Sequence, residues 1–491
     1  MGRVVTDPLL TPAPESPAAD LNGPREACGV FGVYAPGQQV SATIYFGLFA
    51  LQHRGQEAAG IATSDGETVT VVKDLGLVPQ VFDENDLAAL EGHLGIGHTR
   101  YSTTGSSRWE NAQPAHRQIG QTSIALGHNG NLTNTGTLAT RLGAQGVTSD
   151  SELMLEAISG KVDDERSDGR GLEIALLEVL PLFQGAFSLV VMDQGRLVGV
   201  RDPRGFRPLC LGRVGESTWV LASETSALDL VGATFVRDIE PGEMLVIDAT
   251  GHRTYRPFEP APPQLCVFEF VYFARPDSNL YGENVFAARQ RMGQRLATEF
   301  PADADVVVPV PESGIPAAQG FSTTSGIPYA DGLVKNRYIG RTFIEPTQML
   351  RDQGIRLKLN PIPATFAGKR VVLVDDSIVR GSTTRQLIAM VRDAGAAEIH
   401  LRVSSPPYRW PCFYGMDTSD QTKLLAARMS TEEIREFLEV DTLGYLSIDG
   451  LLESTGAPAE SFCTACLTGN YPTEIEENAG KFVLEPAASG K

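Results

Sequence analysis

"VVLVDDSIVRGSTT", residues 371–384, decides how the second half of the chain folds. Four apolar residues run without a polar break, as in a parallel strand buried on both faces. The run ends in two adjacent aspartates, Asp375 and Asp376. A small-residue loop follows, Ser377 to Thr384, and a helical pattern begins near 382. Ligands of open α/β sheets sit beyond the carboxyl ends of the strands. Gly381, Ser382, Thr383 and Thr384, running into a helix N-terminus, offer backbone N–H groups and hydroxyls to a phosphate. The two carboxylates would repel that phosphate, so they suit ribose hydroxyls or a Mg²⁺ ion. The Gly-Lys-Ser/Thr of a Walker A loop is not in the stretch.

The same grammar extends on both sides. A helix over 283–299, the strand "DVVVPVP", a helix over 314–325, the strand "KRVVLVDD", a helix over 382–394 and the strand "EIHLRVSS" alternate in βαβ fashion. "VVVPVPESGIPAAQG" repeats the strand–loop–helix layout at Ser313 and Gly314, suited to pyrophosphate and metal. "GLVKNRYIGRTF" (332–343) places Lys335, Arg337 and Arg341 in a stretch with little core pattern, where a flexible basic loop could cover a pyrophosphate. "GHRTYRPFEPAPPQ" (251–264) is Pro-rich and reads as a linker.

Upstream of that linker the pattern changes to short strands rich in β-branched residues, among them "CGVFGVYA", "GIATSDG", "LGIGHTRYST", "SIALGHNG" and "AFSLVVMD". Helical patterns interrupt at "SATIYFGLFALQHR" and "SDSELMLEAISG". This predicts a layered α+β domain, mostly antiparallel. Residues 1–27 are Pro/Ala-rich and read as a leader that does not fold. It has no continuous apolar h-region, so it is not a secretory signal.

The bulk numbers narrow the function. At 491 residues the chain has room for two or three domains. A net charge of −19 argues against non-specific nucleic-acid binding. No apolar run reaches the roughly 20 residues of a membrane span, so a cytoplasmic location is expected. Six cysteines are too sparse for a disulfide scaffold. Cys28 stands between the leader and the first strand. The histidines His53, His93, His98, His116 and His128 are scattered and read as mostly structural. If the chain is cut before Cys28, the new α-amino group has an ordinary pKa of about 7.7–8.0 and could serve as the base for its own thiol. Cys210 reads as core. "FCTAC" supplies Cys463 and Cys466; with Cys266 and Cys412 it makes four thiolates, which suit zinc or an iron–sulfur cluster equally well.

Three resemblances sharpen these expectations. "VVLVDDSIVRGSTT" resembles the phosphoribosyl-pyrophosphate (PRPP) motif of type I phosphoribosyltransferases. "EACGVFGVYA", "GLFALQHRGQEAAGIA", "GHTRYST" and "LGHNGNL" together resemble the glutaminase domain of N-terminal-nucleophile (Ntn) amidotransferases. The pair in this order resembles the glutamine PRPP amidotransferase family over about 28–475. The resemblance implies a leader at 1–27, a four-layer αββα Ntn glutaminase domain at 28–262, and an α/β type I phosphoribosyltransferase domain with a parallel sheet at 263–491. It implies Cys28 as nucleophile, Asn129 and Gly130 as oxyanion hole, and Arg100, Thr103 and Asp150 as glutamine ligands. For PRPP it implies Ser313, Gly314, Lys335, Arg337, Arg341, Asp375, Asp376, Ser377, Arg380, Gly381, Ser382, Thr383 and Thr384, with Ser313, Asp375 and Asp376 on one Mg²⁺ per subunit. One branch of the family has a cleaved leader and one [4Fe–4S] cluster per subunit on cysteines in these contexts, which would assign Cys266, Cys412, Cys463 and Cys466 to a cluster. The family also implies ammonia transfer to PRPP in purine synthesis, feedback by purine nucleotides and a homotetramer.

Overall fold

The computed structural model describes residues 28–101, 106, 108–162, 170–336, 359–418, 420–476 and 484. The expected leader, Thr103, Arg337 and Arg341 lie outside them.

The first half builds its strands where the β-branched runs stand: β1 (Gly29–Tyr34), β2 (Ala58–Ser64), β3 (Val69–Leu75), β4 (Leu94–Arg100), β5 (Ala115–Ile119), β6 (Thr122–Leu132), β7 (Gly185–Met192), β8 (Leu197–Arg201), β9 (Cys210–Val214), β10 (Thr218–Ala222), β11 (Thr234–Asp238), β12 (Met244–Asp248) and β13 (Gly251–Tyr255). They form two antiparallel sheets, ordered β11-β9-β10-β1-β4-β2-β3 and β13-β12-β8-β7-β6-β5. Successive residues of a strand face opposite ways, and β1 shows the consequence. Phe31 and Val33 turn outward to meet Ile44 and Leu48 of the helix Ser41–Ala50. Val30 turns inward to pack with Ala125, Val190 and Leu245 between the sheets. The outer face of the second sheet, including Ile124, Leu126 and Val191, is covered by Leu153 and Leu176 of the helices Asp150–Ser159 and Gly171–Val179. Helix, sheet, sheet and helix make the expected four layers. The first helix sits very close to its sheet: a Cβ on Gly97 would stand 2.5 Å from Ile44 Cγ2.

The second half carries a four-stranded parallel sheet, ordered Val306–Pro309, Arg370–Asp375, Glu398–Val403, Thr442–Tyr445. Val372 and Val374 enter the core on one face, Val371 and Leu373 the core on the other. Burial on both faces is why "VVLV" has no polar alternation.

One expectation is corrected. Residues 251–255 are not linker: they are β13, paired along β12 from Met244↔Tyr255 to Asp248↔Gly251. An edge strand with both faces half wet has no apolar signature, and Asp248 closes its hairpin by accepting from Thr250 N at 2.8 Å. The domains meet through Phe206, whose ring stacks on Tyr414 with centroids 4.3 Å apart and whose carbonyl accepts from Cys266 N at 3.0 Å. Cys266 in turn belongs to a parallel pair of short strands inside the second half, Leu265–Cys266 and Phe462–Cys463.

Candidate functional sites

The first site forms where β1 begins. Its antiparallel register with β4 sets Gly29 opposite Thr99, so Cys28 comes to lie beside Arg100 and Tyr101. The Cys28 thiol donates to Tyr101 O at 3.2 Å and its sulfur accepts from Tyr101 N at 3.4 Å. Burial pushes this thiol up to about 11, and the Tyr101 N–H and Arg100 lower it only in part. A thiol so placed is neutral near pH 7 and needs a base.

Cys28, Arg100, Tyr101, Gln113, His128, Gly130, Ser149, Asp150 and Ser151 line one cleft. Asp150 opens the helix Asp150–Ser159, whose N-cap is Ser149, Oγ accepting from Glu152 N at 3.3 Å. Burial alone would raise the Asp150 carboxyl. His128, whose Nδ1 is 3.6 Å from Oδ2, and the N–H groups of Leu132 and Ser151 outweigh it and hold the group below its ordinary value. Arg100 is fully buried, and its Nη1 donates to Ser106 O at 3.2 Å. The cleft therefore offers a cation and an anion, the pair that an amino acid's carboxylate and ammonium groups require. Asn129 lies between two lining residues of β6, and both polar atoms of its side chain are buried with no hydrogen-bond partner. Gly130 is at φ +151°, and a Cβ there would stand 2.0 Å from Ala186 O, so only glycine fits.

Of the scattered histidines, His98 is structural as expected. Its Nε2 donates to His128 O at 2.9 Å, and burial pushes the ring down to about 3, so it stays neutral. His128 departs from the expectation by lining the cleft and facing Asp150. Tyr101, Gln113 and Ser151 also escaped sequence reasoning. Gln113 joins two of these parts: its Nε2 donates to Ser151 Oγ at 2.8 Å and its Oε1 accepts from His128 N at 2.7 Å. Cys210 is buried, its thiol donating to Ala222 O at 3.2 Å.

The second site lies at the carboxyl ends of the parallel strands. Ser313 Oγ donates to Asp376 Oδ2, which joins the two small-residue loops that the sequence presents 63 positions apart. Ser377 Oγ donates to Asp376 Oδ1 at 2.5 Å, and Asp376 N to Asp375 Oδ1 at 2.9 Å. Each loop runs into a helix, Ile315–Ser325 after Gly314 and Ser382–Asp393 after Gly381. Gly381 is left-handed at φ +78°. Burial, and then Asp376, pushes the Asp375 carboxyl well above its ordinary range. Burial also raises Asp376, against the hydroxyls of Ser313 and Ser377 and the nearby Arg289. Lys335 is not in an open loop. It ends the short strand Leu333–Lys335, paired with Leu359–Pro361, and its Nζ stands 3.3 Å from Glu312 Oε2.

Near the domain junction at Arg207 the structure gathers four thiols. Cys266 and Cys463 are paired in register. The other three thiols all act electrostatically on Cys466, which burial keeps well above the ordinary thiol range. Tyr414 N donates to Cys412 Sγ at 3.4 Å, and Arg207 Nη1 to Cys266 Sγ at 3.8 Å. Arg207 Nη2 is buried with no partner. Among the described residues no three His, Cys, Asp or Glu side chains are placed to hold a single metal ion.

Comparison with known proteins matches residues 98–230 to a glutamine amidotransferase domain and 280–405 to a phosphoribosyl transferase domain. The chain is 52% identical over 488 residues to the amidophosphoribosyltransferase of Mycobacterium tuberculosis, covering 96% of this chain and 91% of that one. It is 54% identical over 471 residues to that of Synechococcus elongatus, covering 94% and 95%. It is also similar to the solved structure of glutamine PRPP amidotransferase from Bacillus subtilis complexed with ADP and GMP, at TM-score 0.85 and 44% identity, over 93% of this chain and 100% of that one.

Proposed function

We propose roles for these residues on the premise the comparisons establish: the chain belongs to the amidophosphoribosyltransferase family. Its activity is glutamine-dependent transfer of an amino group to PRPP, which yields 5-phosphoribosylamine, glutamate and pyrophosphate and commits PRPP to purine synthesis.

Cys28 is the nucleophile that attacks the glutamine amide. The α-amino group freed by cleavage after Ala27 takes the thiol proton and passes it to the leaving ammonia. Water then hydrolyses the glutamyl thioester. Arg100 and Asp150 hold the α-carboxylate and α-ammonium of glutamine; the resemblance adds Thr103 as a further glutamine ligand. The observation that carries this reading is the orphaned Asn129 amide: a buried donor without a partner costs about 1–3 kcal/mol, and the oxyanion of the tetrahedral intermediate would satisfy it together with Gly130 N–H.

Ammonia crosses the interior to C1 of PRPP. Ser377 and the 381–384 turn hold the 5-phosphate on the helix N-terminus with Arg380. Ser313, Gly314 and Lys335 hold the pyrophosphate, and Arg337 and Arg341 cover it. Two adjacent carboxyls raised by burial, Asp375 by the Asp376 charge as well, fit a hard divalent cation. Mg²⁺ held there with Ser313 would stabilise the departing pyrophosphate.

By chemistry four thiolates suit zinc or an iron–sulfur cluster equally well. We propose a [4Fe–4S] cluster on Cys266, Cys412, Cys463 and Cys466 because the resemblance is to the family branch with a cleaved leader. The unpartnered Arg207 Nη2 and the Tyr414 N–H aimed at Cys412 are donors of the kind that anionic cluster sulfurs accept. Its role is structural or oxygen-sensing. Feedback by purine nucleotides is proposed from the ADP and GMP in the Bacillus subtilis structure. Homotetramer assembly is carried over from the family, and the half-exposed Phe46 and Phe49 on the helix Ser41–Ala50 support a covered outer face. No helix among the described residues is long and apolar enough to cross a membrane; a cytoplasmic location remains part of the proposal.

The test is an intact mass of the purified protein, expected to begin at Cys28, combined with pyrophosphate release from PRPP by Cys28→Ala. Glutamine should support no release and ammonia should support normal release. Loss of both in a folded variant would remove the two-site scheme.

A further inference from the structure

A buried ionic chain crosses the junction between the two halves. Glu269 opens the π-helical turn Glu269–Phe273, three residues after Cys266, and is fully buried. Its carboxylate accepts from Arg54 twice, Nη1 to Oε2 at 3.0 Å and Nη2 to Oε1 at 2.7 Å, a two-pronged fork that fixes the guanidinium plane. The same Oε1 accepts from Arg207 Nη1 at 3.1 Å. Glu224 Oε1 grips Arg54 from the other side at 2.5 Å. With Nη1 and Nη2 committed, the Arg54 Nε is aimed at one acceptor: it donates to the carbonyl oxygen of Cys28 at 3.1 Å.

We propose that Glu269, a residue of the phosphoribosyltransferase half, is a positioning residue for the glutamine-cleaving thiol. By orienting Arg54 it fixes the Cys28 carbonyl, and so ties the placement of the nucleophile to the domain junction. The inference rests on Cys28 being the nucleophile.

The geometry shows why Glu224 cannot do this alone. Glu224 also serves His53 Nε2 at 2.7 Å, Ser278 Oγ at 2.7 Å and Arg275 N at 2.9 Å. Without the Glu269 fork, Arg54 would turn toward Glu224 and draw Nε off the Cys28 carbonyl, while Arg207 would lose its carboxylate. A buried guanidinium does not tolerate partial pairing, so it moves to the charge that remains. The junction buttresses the other side of the cleft too. Asn131 Nδ2 donates to Phe413 O at 3.1 Å, and a Cβ on Gly415 would stand 3.2 Å from the Gly130 carbonyl carbon. In the sequence, the sign of Glu269 is a lone carboxylate inside the apolar run "CVFEFVYF", since a fully buried acid needs a partner.

The experiment uses the full-length mature enzyme with Glu269→Gln, which keeps the shape and removes the charge. Glutamine-dependent kcat should fall by about 10²-fold, the cost of displacing a reacting atom by about 1 Å. The KM for glutamine and the ammonia-dependent rate should stay unchanged. Inactivation of Cys28 by a glutamine-like chloroketone should slow in parallel, and Glu269→Asp should recover part of both losses. A Glu269→Gln enzyme with the parent's glutamine-dependent rate, beside a dead Cys28→Ala, overturns the positioning role and leaves the nucleophile standing. Equal loss of glutamine- and ammonia-dependent rates in both Glu269 variants marks a purely architectural residue and overturns it as well. A Cys28→Ala enzyme that still cleaves glutamine removes the reading underneath.

Discussion

The cleft at Cys28 and the paired loops at Asp376 treat a buried carboxyl in opposite ways. In the cleft, His128 and two backbone N–H groups hold Asp150 down, so it is charged at neutral pH. In the loops, burial pushes Asp375 and Asp376 up, and the hydroxyls of Ser313 and Ser377 do not offset it. The first site brings its own charge balance, built from side chains of one domain and braced by the next. The second leaves two raised carboxyls, which the proposed cation would balance. This suits the chemistry assigned to each: a neutral amide is cleaved in one, and a pyrophosphate carrying a divalent cation leaves in the other.

The comparison breaks most cleanly at Cys28. Cys28→Ala should reduce glutamine-dependent synthesis to background while ammonia-dependent synthesis persists, measured as pyrophosphate release. Asp376→Asn should do the converse. It should lower synthesis from both nitrogen donors by about 10³-fold, the scale of several kcal/mol of cation stabilisation, and leave glutamine cleavage measurable as glutamate. If Asp376→Asn spares the ammonia-dependent rate, the second site is misassigned. Asn129→Ala should cost about 10²–10³-fold in glutamine-dependent kcat, as loss of one oxyanion donor does, with glutamine KM little altered.

Smaller effects sharpen the contrast. Gly381→Ala forces a side chain to φ +78° and to within 2.5 Å of Leu425 Cδ2. It should cost about 1–3 kcal/mol in unfolding free energy and raise the KM for PRPP alone. The last prediction concerns pH. A chain that keeps its leader should have a Cys28 thiol that loses its proton only near pH 11, because burial disfavours the thiolate. Its alkylation by iodoacetamide should therefore rise about tenfold per pH unit from neutrality upward. Cleavage should move the midpoint down, toward the α-amino range. The same midpoint before and after cleavage would exclude the terminal amine as the base.

Much of the fold was legible because its signals are local. The parallel strand at 371–374 needed only an unbroken apolar run, and the two loop–helix turns needed only their small residues. β13 was not legible: "GHRTY" is polar, and pairing with β12, not burial, makes it a strand. In the cleft at Cys28, the cysteine and Arg100 stood in recognisable segments. His128 could not be told from the neutral, structural His98, since both are buried histidines with similar neighbours in sequence. Only the contact with Asp150, from a helix some twenty positions on, distinguishes them.

By itself, the sequence determined that one chain carries two distinct motifs: a thiol at the head of an antiparallel domain and a small-residue loop running into a helix at the end of a parallel strand. Contiguous motifs carry that information, because backbone amides, small residues and strand periodicity act over a few positions. The tertiary structure alone decided the electrostatics and the brace between the halves. Burial raises Cys28, Asp375 and Asp376, and a buried Glu269 reaches Arg54 across 215 positions. Desolvation and ion pairing act through space, so their partners exist only once each domain has folded and, for Glu269 with Arg54, only once the two domains have met.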